Sequence, residues 1–259
     1  MNQPLAYIHP EAKIHPSVII EPFAAIYNNV EIGEGTHIGA NVTILEGVRI
    51  GKNCRIFPGA VIGAIPQDLK FKGEDSLAIV GDNTTIREFV TVNRGTAIKG
   101  CTIIGDNCLL MAYSHVAHDC SIGNNVIMGN ATQLAGEVEI SDFAIFGGGT
   151  LVHQFSHIGC HVMIQGGSKI TKDVPPYVMA GREPICFEGV NSVGLRRRGF
   201  SNEQINGILD VYRYIYQLKM SIPHAVEQIV IELPESAERE EILGFIKNSS
   251  RGIIKGIRG

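Results

Sequence analysis

The sequence predicts a left-handed parallel β-helix, an all-β prism of hexapeptide repeats, with a small C-terminal α-helical domain. Large apolar residues recur every six positions from Ile8 to Ile170, and only Asp68 and Glu74 break the series. Neither an α-helix nor a simple alternating strand has this period. A β-helix does, because each coil is a triangle with three six-residue edges. Four positions after each large residue stands a small one, such as Val18, which suits a narrow interior.

The two parts of the chain are predicted to divide near residue 185, with the β-helix over 1–185 and the helical domain over 186–259. Pro175 and Pro176 end the repeat, because proline has no N–H to donate to a strand ladder. The helical domain has three predicted helices, over 201–220, 223–233 and 235–248.

The helical domain carries few candidate functional residues. Ser201 and Gln204 form a capping-box pattern at the start of its first helix. The apolar stripes of the helices are more typical of packing faces than of a cofactor site. The run Arg196–Arg198 is either a solvated turn or, near a groove, a phosphate-binding group. The last residues, 251–259, are expected to be frayed.

Composition restricts the class of protein. The 259 residues carry 26 acidic and 22 scattered basic side chains, a net charge of −4, which argues against nucleic acid as a partner. No apolar run is long enough to span a membrane. Residues 1–10 lack the pattern of a secretory signal, so a cytoplasmic location is expected. The six cysteines have no disulfide-framework spacing, and Cys54, Cys108 and Cys120 occupy the small inward positions.

Two segments interrupt the repeat. Residues 64–77 keep the six-residue count but are polar, and such a segment in a solenoid bulges outward as a loop. Loops on a rigid scaffold often carry binding residues, so Gln67, Asp68 and Lys70 are candidates, although a purely solvated loop is equally compatible. A smaller irregularity is predicted over 96–103.

The later coils carry unusual polar side chains at outward positions. One turn of the helix is about 18 residues, so His118, Gly136 and Gln154 are predicted to stack in one line. His115 and His153 are predicted to lie beside it. Such a concentration of His, Asp and Gln fits a site lining a groove, and the alternative is a hydrated polar ladder.

These residue types suit general-base acyl transfer. Asp119 follows His118, and a neighbouring carboxylate favours the protonated imidazole that a general base forms near neutral pH. The backbone N–H of Gly136 is a candidate donor to the oxyanion of an acyl-transfer intermediate. No G-x-S-x-G motif is present, so a covalent serine mechanism is not indicated. We expect neither a cofactor nor a metal.

Several motifs together resemble one known family. The runs SHVAHDC, QLAGEVEISDFAIFGGGTLVHQF, DVPPYVMAG and GVNSVGLRRRGF are similar to those of the UDP-N-acetylglucosamine 3-O-acyltransferase family, which performs the first step of lipid A synthesis. The resemblance covers nearly the whole chain. It implies a homotrimer with active sites between subunits, and transfer of a long (R)-3-hydroxyacyl chain from acyl carrier protein to UDP-N-acetylglucosamine.

The resemblance also implies roles for individual residues. His118 matches the catalytic base, Asp119 the residue that orients it, and Gly136 the oxyanion donor. Gly166 matches a position where a small residue leaves the acyl groove open. The remaining matched positions contact the sugar, the acyl donor or the uridine diphosphate: Asp68, Lys70, His115, His153, Gln154, Asn191, Arg197 and Arg198.

Three positions depart from the family pattern. Glu137 and Asn93 stand where histidine is usual, and Val193 replaces an acidic residue. These departures put the roles of those three side chains in question, but they do not touch the expected base or oxyanion donor.

Other classes of protein remain alternatives. The related enzyme that N-acylates the next lipid A intermediate has a separate N-terminal domain, whereas the repeat here begins near residue 8. Acetyl-CoA-dependent sugar acetyltransferases share the prism but not the LRRRGF segment. A zinc enzyme could use His153, His157 and His161, although these fall at different phases of the six-residue repeat. A structural scaffold would not concentrate His, Asp and Gln along one edge.

Overall fold

A computed structural model describes residues 5–257 and contains three parallel sheets, called A, B and C, which form the faces of a triangular prism. The chain passes from A to B to C in each coil, so its turns form an A–B, a B–C and a C–A corner. This is the predicted left-handed parallel β-helix with helices at its C-terminal end.

The strands are short because each occupies one edge of a triangle. The strands of sheet A are Tyr7–Ile8, Ala25–Ile26, Thr43–Ile44, Val61–Ala64, Thr91–Asn93, His115–Val116, Gln133–Leu134, Leu151–Val152 and Lys169–Ile170. The strands of sheet B are Lys13–Ile14, Glu31–Ile32, Val48–Ile50, Leu77–Val80, Cys101–Ile104, Ser121–Ile122, Glu139–Ile140 and His157–Ile158.

Sheet C continues beyond the repeat. Its regular strands are Ile19–Ile20, His37–Ile38, Arg55–Ile56, Thr85–Ile86, Leu109–Leu110, Ile127–Met128, Ile145–Phe146 and Met163–Ile164. Val178–Gly181 then pairs parallel to Met163–Ile164, and Cys186–Val190 pairs antiparallel to Val178–Gly181. The sheet therefore extends past residue 185, and a domain division there stays a prediction.

The six-residue series forms the interior of the prism. Ile26, Ile62 and Leu110 are fully buried, as are most other members of the series, and Cys54, Cys108 and Cys120 fill small positions beside them. All six cysteines are free. Burial of this apolar column is the main stabilising contribution to a solenoid, because each coil contacts only its neighbours.

The glycines that follow the large residues are needed for close approach between coils. A Cβ at Gly33 would lie 2.7 Å from the backbone of Gly51 in the next coil. Gly33 and Gly51 do not themselves have a left-handed backbone. The residues with positive φ lie two positions after such glycines and are often asparagines, such as Asn53 and Asn125.

Both predicted interruptions are loops, and both leave the prism at the A–B corner. Val61 pairs with Thr91 rather than with residue 79, so the 65–76 loop contains two extra hexapeptides. Thr91 pairs with His115 rather than with residue 109, so the 94–100 loop contains one. Ile98, which fits the apolar series by count, is 63% exposed on this second loop. Counting it as an interior residue was wrong.

Four helices follow the coils: α1 over Ser192–Arg197, α2 over Asn202–Tyr216, α3 over Ile222–Glu232 and α4 over Ala237–Asn248. The last three confirm the predicted helices, with ends that differ by up to four residues. The capping box of Ser201 and Gln204 is present at the start of α2. The sequence did not predict α1, whose N-cap is Asn191. No helix within residues 5–257 has the length and apolar character needed to cross a bilayer.

The C-terminal segment is ordered against the coil, so the expectation that it is frayed was wrong for residues 251–257. Lys255–Gly256 pairs with Cys186–Val190. Ile254 is 1% exposed, and its N–H donates to the carbonyl of Asp173. The apolar pair Ile253 and Ile254 explains the docking. Positions 258–259 lie outside the described residues.

Candidate active site

The predicted line of polar positions exists at the A–B corner. His118, Gly136 and Gln154 occupy the same position in three successive coils, joined by backbone hydrogen bonds between neighbouring turns. The N–H of Glu137 donates to the carbonyl of His118 at 3.0 Å, and that of Phe155 donates to the carbonyl of Gly136 at 3.2 Å. Stacking follows directly from parallel pairing of the flanking strands in sheet A.

His118 and Asp119 form a buried pair. The Nδ1 of His118 lies 2.8 Å from Oδ2 of Asp119, and the two residues are 8% and 0% exposed. The carboxylate therefore selects the tautomer with hydrogen on Nδ1 and leaves Nε2 as the acceptor. Burial favours protonation of Asp119, but hydrogen bonds from Thr96 and His118 outweigh it and lower the pKa of the carboxyl below its ordinary value.

Gly136 covers the imidazole ring. A Cβ at this position would lie 2.5 Å from Nε2 and 2.6 Å from Cε1 of His118, closer than any side chain tolerates. Within residues 5–257, the backbone N–H of Gly136 donates to no main-chain carbonyl. Any side chain at this position would therefore displace the ring, and glycine leaves the imidazole where it lies.

Other polar residues surround this pair. His115 lies in the sheet A strand that precedes His118, and its Nδ1 is 2.7 Å from Oγ1 of Thr91. Burial lowers the pKa of His115, because the protonated ring is disfavoured away from water. His153 lies exposed at the A–B corner, with its Nδ1 3.0 Å from the carbonyl of Gln154. Glu137 is half-buried at the same corner with a positive φ of 60°.

The 65–76 loop carries the remaining candidates at this corner. Gln67 and Lys70 are exposed, and Asp68 is half-buried with its Oδ1 accepting from the N–H of Lys70 at 2.9 Å. The base of the loop is held by Asn93, whose Nδ2 donates to the carbonyl of Ile65 at 3.0 Å. Asn93, where the family pattern has histidine, thus anchors the loop that carries these candidates.

The candidate nucleotide-binding residues lie at a different corner. Asn191 donates from Nδ2 to the carbonyl of His161 at 2.9 Å, and Arg198 donates to the carbonyl of Phe143 at 3.2 Å. His161 and Phe143 are both B–C corner residues. The guanidinium of Arg198 also lies 5.3 Å above the ring of Phe143, and its partly buried position lowers its pKa. Arg197 is exposed at the end of α1.

Gly166 occupies the third corner, between sheets C and A. A Cβ there would lie 3.0 Å from the carbonyl oxygen of Gly148 in the preceding coil. Within residues 5–257 the candidate residues are therefore divided among three corners. His118, Asp119 and Gly136 form a cluster at the A–B corner, away from Asn191 and Arg198 at the B–C corner.

Comparison with curated proteins places the chain in a family. Residues 173–254 match the profile described as UDP-N-acetylglucosamine O-acyltransferase domain 2, residues 101–136 match the hexapeptide-transferase profile, and residues 2–96 match the GMPPB C-terminal domain profile. A protein of Burkholderia orbicola named acyl-(acyl-carrier-protein)–UDP-N-acetylglucosamine O-acyltransferase is 44% identical over 200 residues, which cover 75% of this chain and 76% of that one. The chain belongs to the UDP-N-acetylglucosamine O-acyltransferase family.

Solved structures agree with this assignment. The structure of a UDP-N-acetylglucosamine acyltransferase from Bacteroides fragilis is 58% identical, with a TM-score of 0.97 over 98% of this chain and 100% of that one. The enzyme from Francisella novicida is 41% identical, with a TM-score of 0.94 over 97% and 92% of the two chains. The chain is therefore an acyltransferase.

The three histidines that a zinc enzyme could use do not come together in this chain. His153 lies at the A–B corner, His157 in the last strand of sheet B, and His161 at the B–C corner. Within residues 5–257, no group of three His, Cys, Asp or Glu side chains is arranged to hold a metal ion.

The sequence did not indicate one residue that contacts the acyltransferase's His118–Asp119 pair. Thr96, on the 94–100 loop, bonds the carboxylate of Asp119 through both its N–H and its hydroxyl. The two residues are far apart in sequence, and only the extra hexapeptide brings them together. The sole signal was the irregularity predicted over 96–103.

Proposed function

We propose that this enzyme transfers a long-chain (R)-3-hydroxyacyl group from acyl carrier protein to the 3-hydroxyl of UDP-N-acetylglucosamine, the first step of lipid A biosynthesis. The stack of Asp119, His118 and Gly136 carries the proposal. In this stack Nε2 of His118 lies beside the backbone of Gly136 at the A–B corner, which suits a general base and an oxyanion donor acting together. The curated relatives' names supply the donor and the acceptor.

The reaction begins with proton transfer to His118. Its Nε2 takes the proton of the sugar 3-hydroxyl while that oxygen attacks the thioester carbonyl. Nδ1 keeps its hydrogen and its hydrogen bond to Asp119, so the carboxylate stabilises the imidazolium as it forms. General-base catalysis of this kind typically contributes about 10²–10⁴-fold to the rate.

The tetrahedral intermediate places a negative charge on the former carbonyl oxygen. The N–H of Gly136 stabilises this oxyanion, and the absent side chain lets the thioester approach the chain. The intermediate then collapses with cleavage of the carbon–sulfur bond. The proton held by His118 passes to the departing thiolate of the carrier protein, and the neutral base is regenerated.

The active unit in this proposal is a homotrimer with sites between subunits. The division of the candidate residues among three corners supports it, because a corner of one prism can complete a site at the corner of its neighbour. Asn191, Arg197 and Arg198 would then bind the uridine diphosphate beside the neighbouring chain's His118.

The remaining positions contact the sugar or the acyl chain. We assign Gln67, Asp68 and Lys70 of the 65–76 loop, together with His115, His153 and Gln154, to the substrates at the A–B corner. Gly166 lines the acyl groove and leaves room for a long chain.

Acyl transfer from 3-hydroxyacyl carrier proteins of several chain lengths to UDP-N-acetylglucosamine tests the proposal. We expect product with the intact enzyme and a loss of at least about 10²-fold in His118→Ala. Undiminished activity of the variant would move the base elsewhere, with His115 and His153 next to be tested. Absence of product with every donor would overturn the substrate assignment.

A further inference from the structure

We propose that Thr96 is a positioning residue for acyl transfer, which holds the carboxylate of Asp119 in line with His118. Nothing in the sequence motifs of the catalytic coil includes this residue, which lies on the 94–100 loop. The inference rests on the proposed role of His118 as the general base.

The contact is bidentate and buried. The N–H of Thr96 donates to Oδ1 of Asp119 at 2.9 Å, and its hydroxyl donates to Oδ2 at 2.6 Å. Thr96 is 4% exposed and Asp119 is fully buried. Within the described part of the chain, the carboxylate has three hydrogen bonds, and Thr96 supplies two of them. A buried carboxylate keeps its charge and its orientation only when such donors replace water.

The backbone of Asp119 is fixed separately. Its φ is +60°, and its N–H donates to Oγ1 of Thr102 at 2.8 Å. The main chain is thus anchored by one threonine and the side chain by another. The hydrogen bond of Thr102 is to the main chain of Asp119, whereas those of Thr96 are to its carboxylate. Of these two threonines, Thr96 therefore sets the direction of the carboxylate.

The 94–100 loop is built to hold Thr96 in place. The N–H of Gly100 donates to the Thr96 carbonyl at 2.7 Å, and the N–H of Ile98 reaches its hydroxyl oxygen at 3.2 Å. Gly95 packs so tightly that a Cβ would lie 2.3 Å from the backbone nitrogen of Cys101. The hydroxyl therefore accepts from Ile98, and its hydrogen is directed to Asp119.

The same loop is tied to the 65–76 loop. Oε1 of Glu74 accepts from the N–H of Ala97 at 3.0 Å, next to Thr96. Lys99 is directed away, because its Nζ pairs with Glu139 at 2.8 Å. A continuous series of contacts thus runs from the 65–76 loop through Thr96 and Asp119 to His118.

The hydroxyl of Thr96 has a specific effect on the base. Oδ2 accepts from both Thr96 and His118, so the two donors share its negative charge. Without the hydroxyl, His118 is the one remaining side-chain donor to Oδ2 within the described residues. The carboxylate also loses one of the two bonds that fix its rotation.

The test compares Thr96→Val, which removes only the hydroxyl, with Thr96→Ser, which keeps it. We expect Thr96→Val to lower kcat by about tenfold, as for loss of a hydrogen bond to a charged group. KM for UDP-N-acetylglucosamine should stay unchanged, because Thr96 acts on Asp119 and not on the substrate. Thr96→Ser should restore kcat.

Thr84→Val is the matched control. Thr84 is fully buried, and its hydroxyl bonds the main chain of Gly105 and Cys108 at the B–C corner, so this variant loses a buried hydroxyl at a different corner from Asp119. It should lower the melting temperature but leave kcat unchanged. A Thr96→Val enzyme with full kcat would overturn the proposal. Full activity of His118→Ala would instead reject the base assignment, whatever the Thr96 variants do.

Discussion

Gly136 lies against the imidazole ring of His118 from the coil above, so closely that any side chain at this position would have to displace the ring. A Cβ built on Gly136 falls 2.5 Å from Nε2, the nitrogen that Asp119 leaves free to act as a base. The eighteen-residue stack therefore explains two things at once. It positions the backbone of Gly136 beside Nε2 of His118, and it allows the ring to occupy the space where a side chain would otherwise stand.

Replacing Gly136 with Ala should reduce activity far more than stability. The new methyl group displaces the ring, which is the mobile end of a side chain, and breaks its bond to Asp119. We expect kcat to fall by at least about 10²-fold, the usual contribution of a general base. Steady-state kinetics measures this effect, and thermal melting reports the fold.

Gly207→Ala is the control for this substitution. Gly207 lies in the middle of α2 with no atom within 4 Å of an added Cβ, and Ala is favoured over Gly in a helix by about 1 kcal/mol. Its activity should equal that of the parent enzyme. A Gly136→Ala enzyme with unchanged kcat would show that His118 has another position in the working enzyme.

The fold and the stack of His118, Gly136 and Gln154 were predictable from sequence because both follow from one periodicity. The six-residue series identifies the large interior residues of the coils, and eighteen residues per turn place the three stacked positions in line. Counting six residues at a time does not detect an insertion whose length is a whole number of hexapeptides. Ile98 keeps its place in the series yet is exposed, since only its environment distinguishes a loop residue from a coil residue.

The contacts that support the site could not be predicted in the same way. Thr96 reaches Asp119, and Asn93 reaches Ile65, through side-chain hydrogen bonds between distant segments. Such bonds depend on where each loop leaves the prism, which the periodicity does not specify. Docking of Ile254 on the coil was missed for a related reason, because a short apolar segment has no period to interpret.

Mixed trimers should regain activity that two inactive variants lack. His118 lies at the A–B corner, whereas Arg197 ends the α1 helix that is anchored at the B–C corner. We expect His118→Ala and Arg197→Ala each to be impaired alone. When both are unfolded and refolded together in equal amounts, about a quarter of the sites in a trimer combine an intact residue from each neighbour. The measurement is specific activity before and after mixing.

A site formed within one chain predicts a different result for that experiment. Every chain in the mixture carries one defect, so no site would be complete and activity would not increase. Refolded samples of each variant alone provide the baseline, and refolded parent enzyme gives the maximum recovery.

Gly166→Met should shift the enzyme towards shorter acyl donors. Gly166 lies exposed at the C–A corner, and a Cβ there approaches the Gly148 carbonyl to 3.0 Å. A methionine side chain would therefore extend outward from this corner, where we propose that the acyl groove lies. Relative kcat/KM across carrier-protein donors of increasing chain length measures the shift, and the same profile for parent and variant would contradict this placement of the groove.

Gly244→Met provides the comparison for that series. Gly244 lies in α4, where an added Cβ meets no atom within 4 Å, so the same side chain is introduced away from all three corners. Its donor preference should match that of the parent enzyme. A shift in both variants would attribute the change to a general disturbance of the fold.

Ile254→Ala should destabilise the enzyme although the residue lies five positions from the end of the chain. Ile254 is 1% exposed, its N–H donates to Asp173, and its carbonyl accepts from the Tyr216 hydroxyl at 3.0 Å. Removing a buried isoleucine side chain costs about 2–5 kcal/mol in the free energy of unfolding. Ile257→Ala is the control, because Ile257 is 48% exposed and should change that free energy by less than about 0.5 kcal/mol. Urea denaturation followed by circular dichroism measures both, and equal small effects would mean that the segment does not dock on the coil in solution.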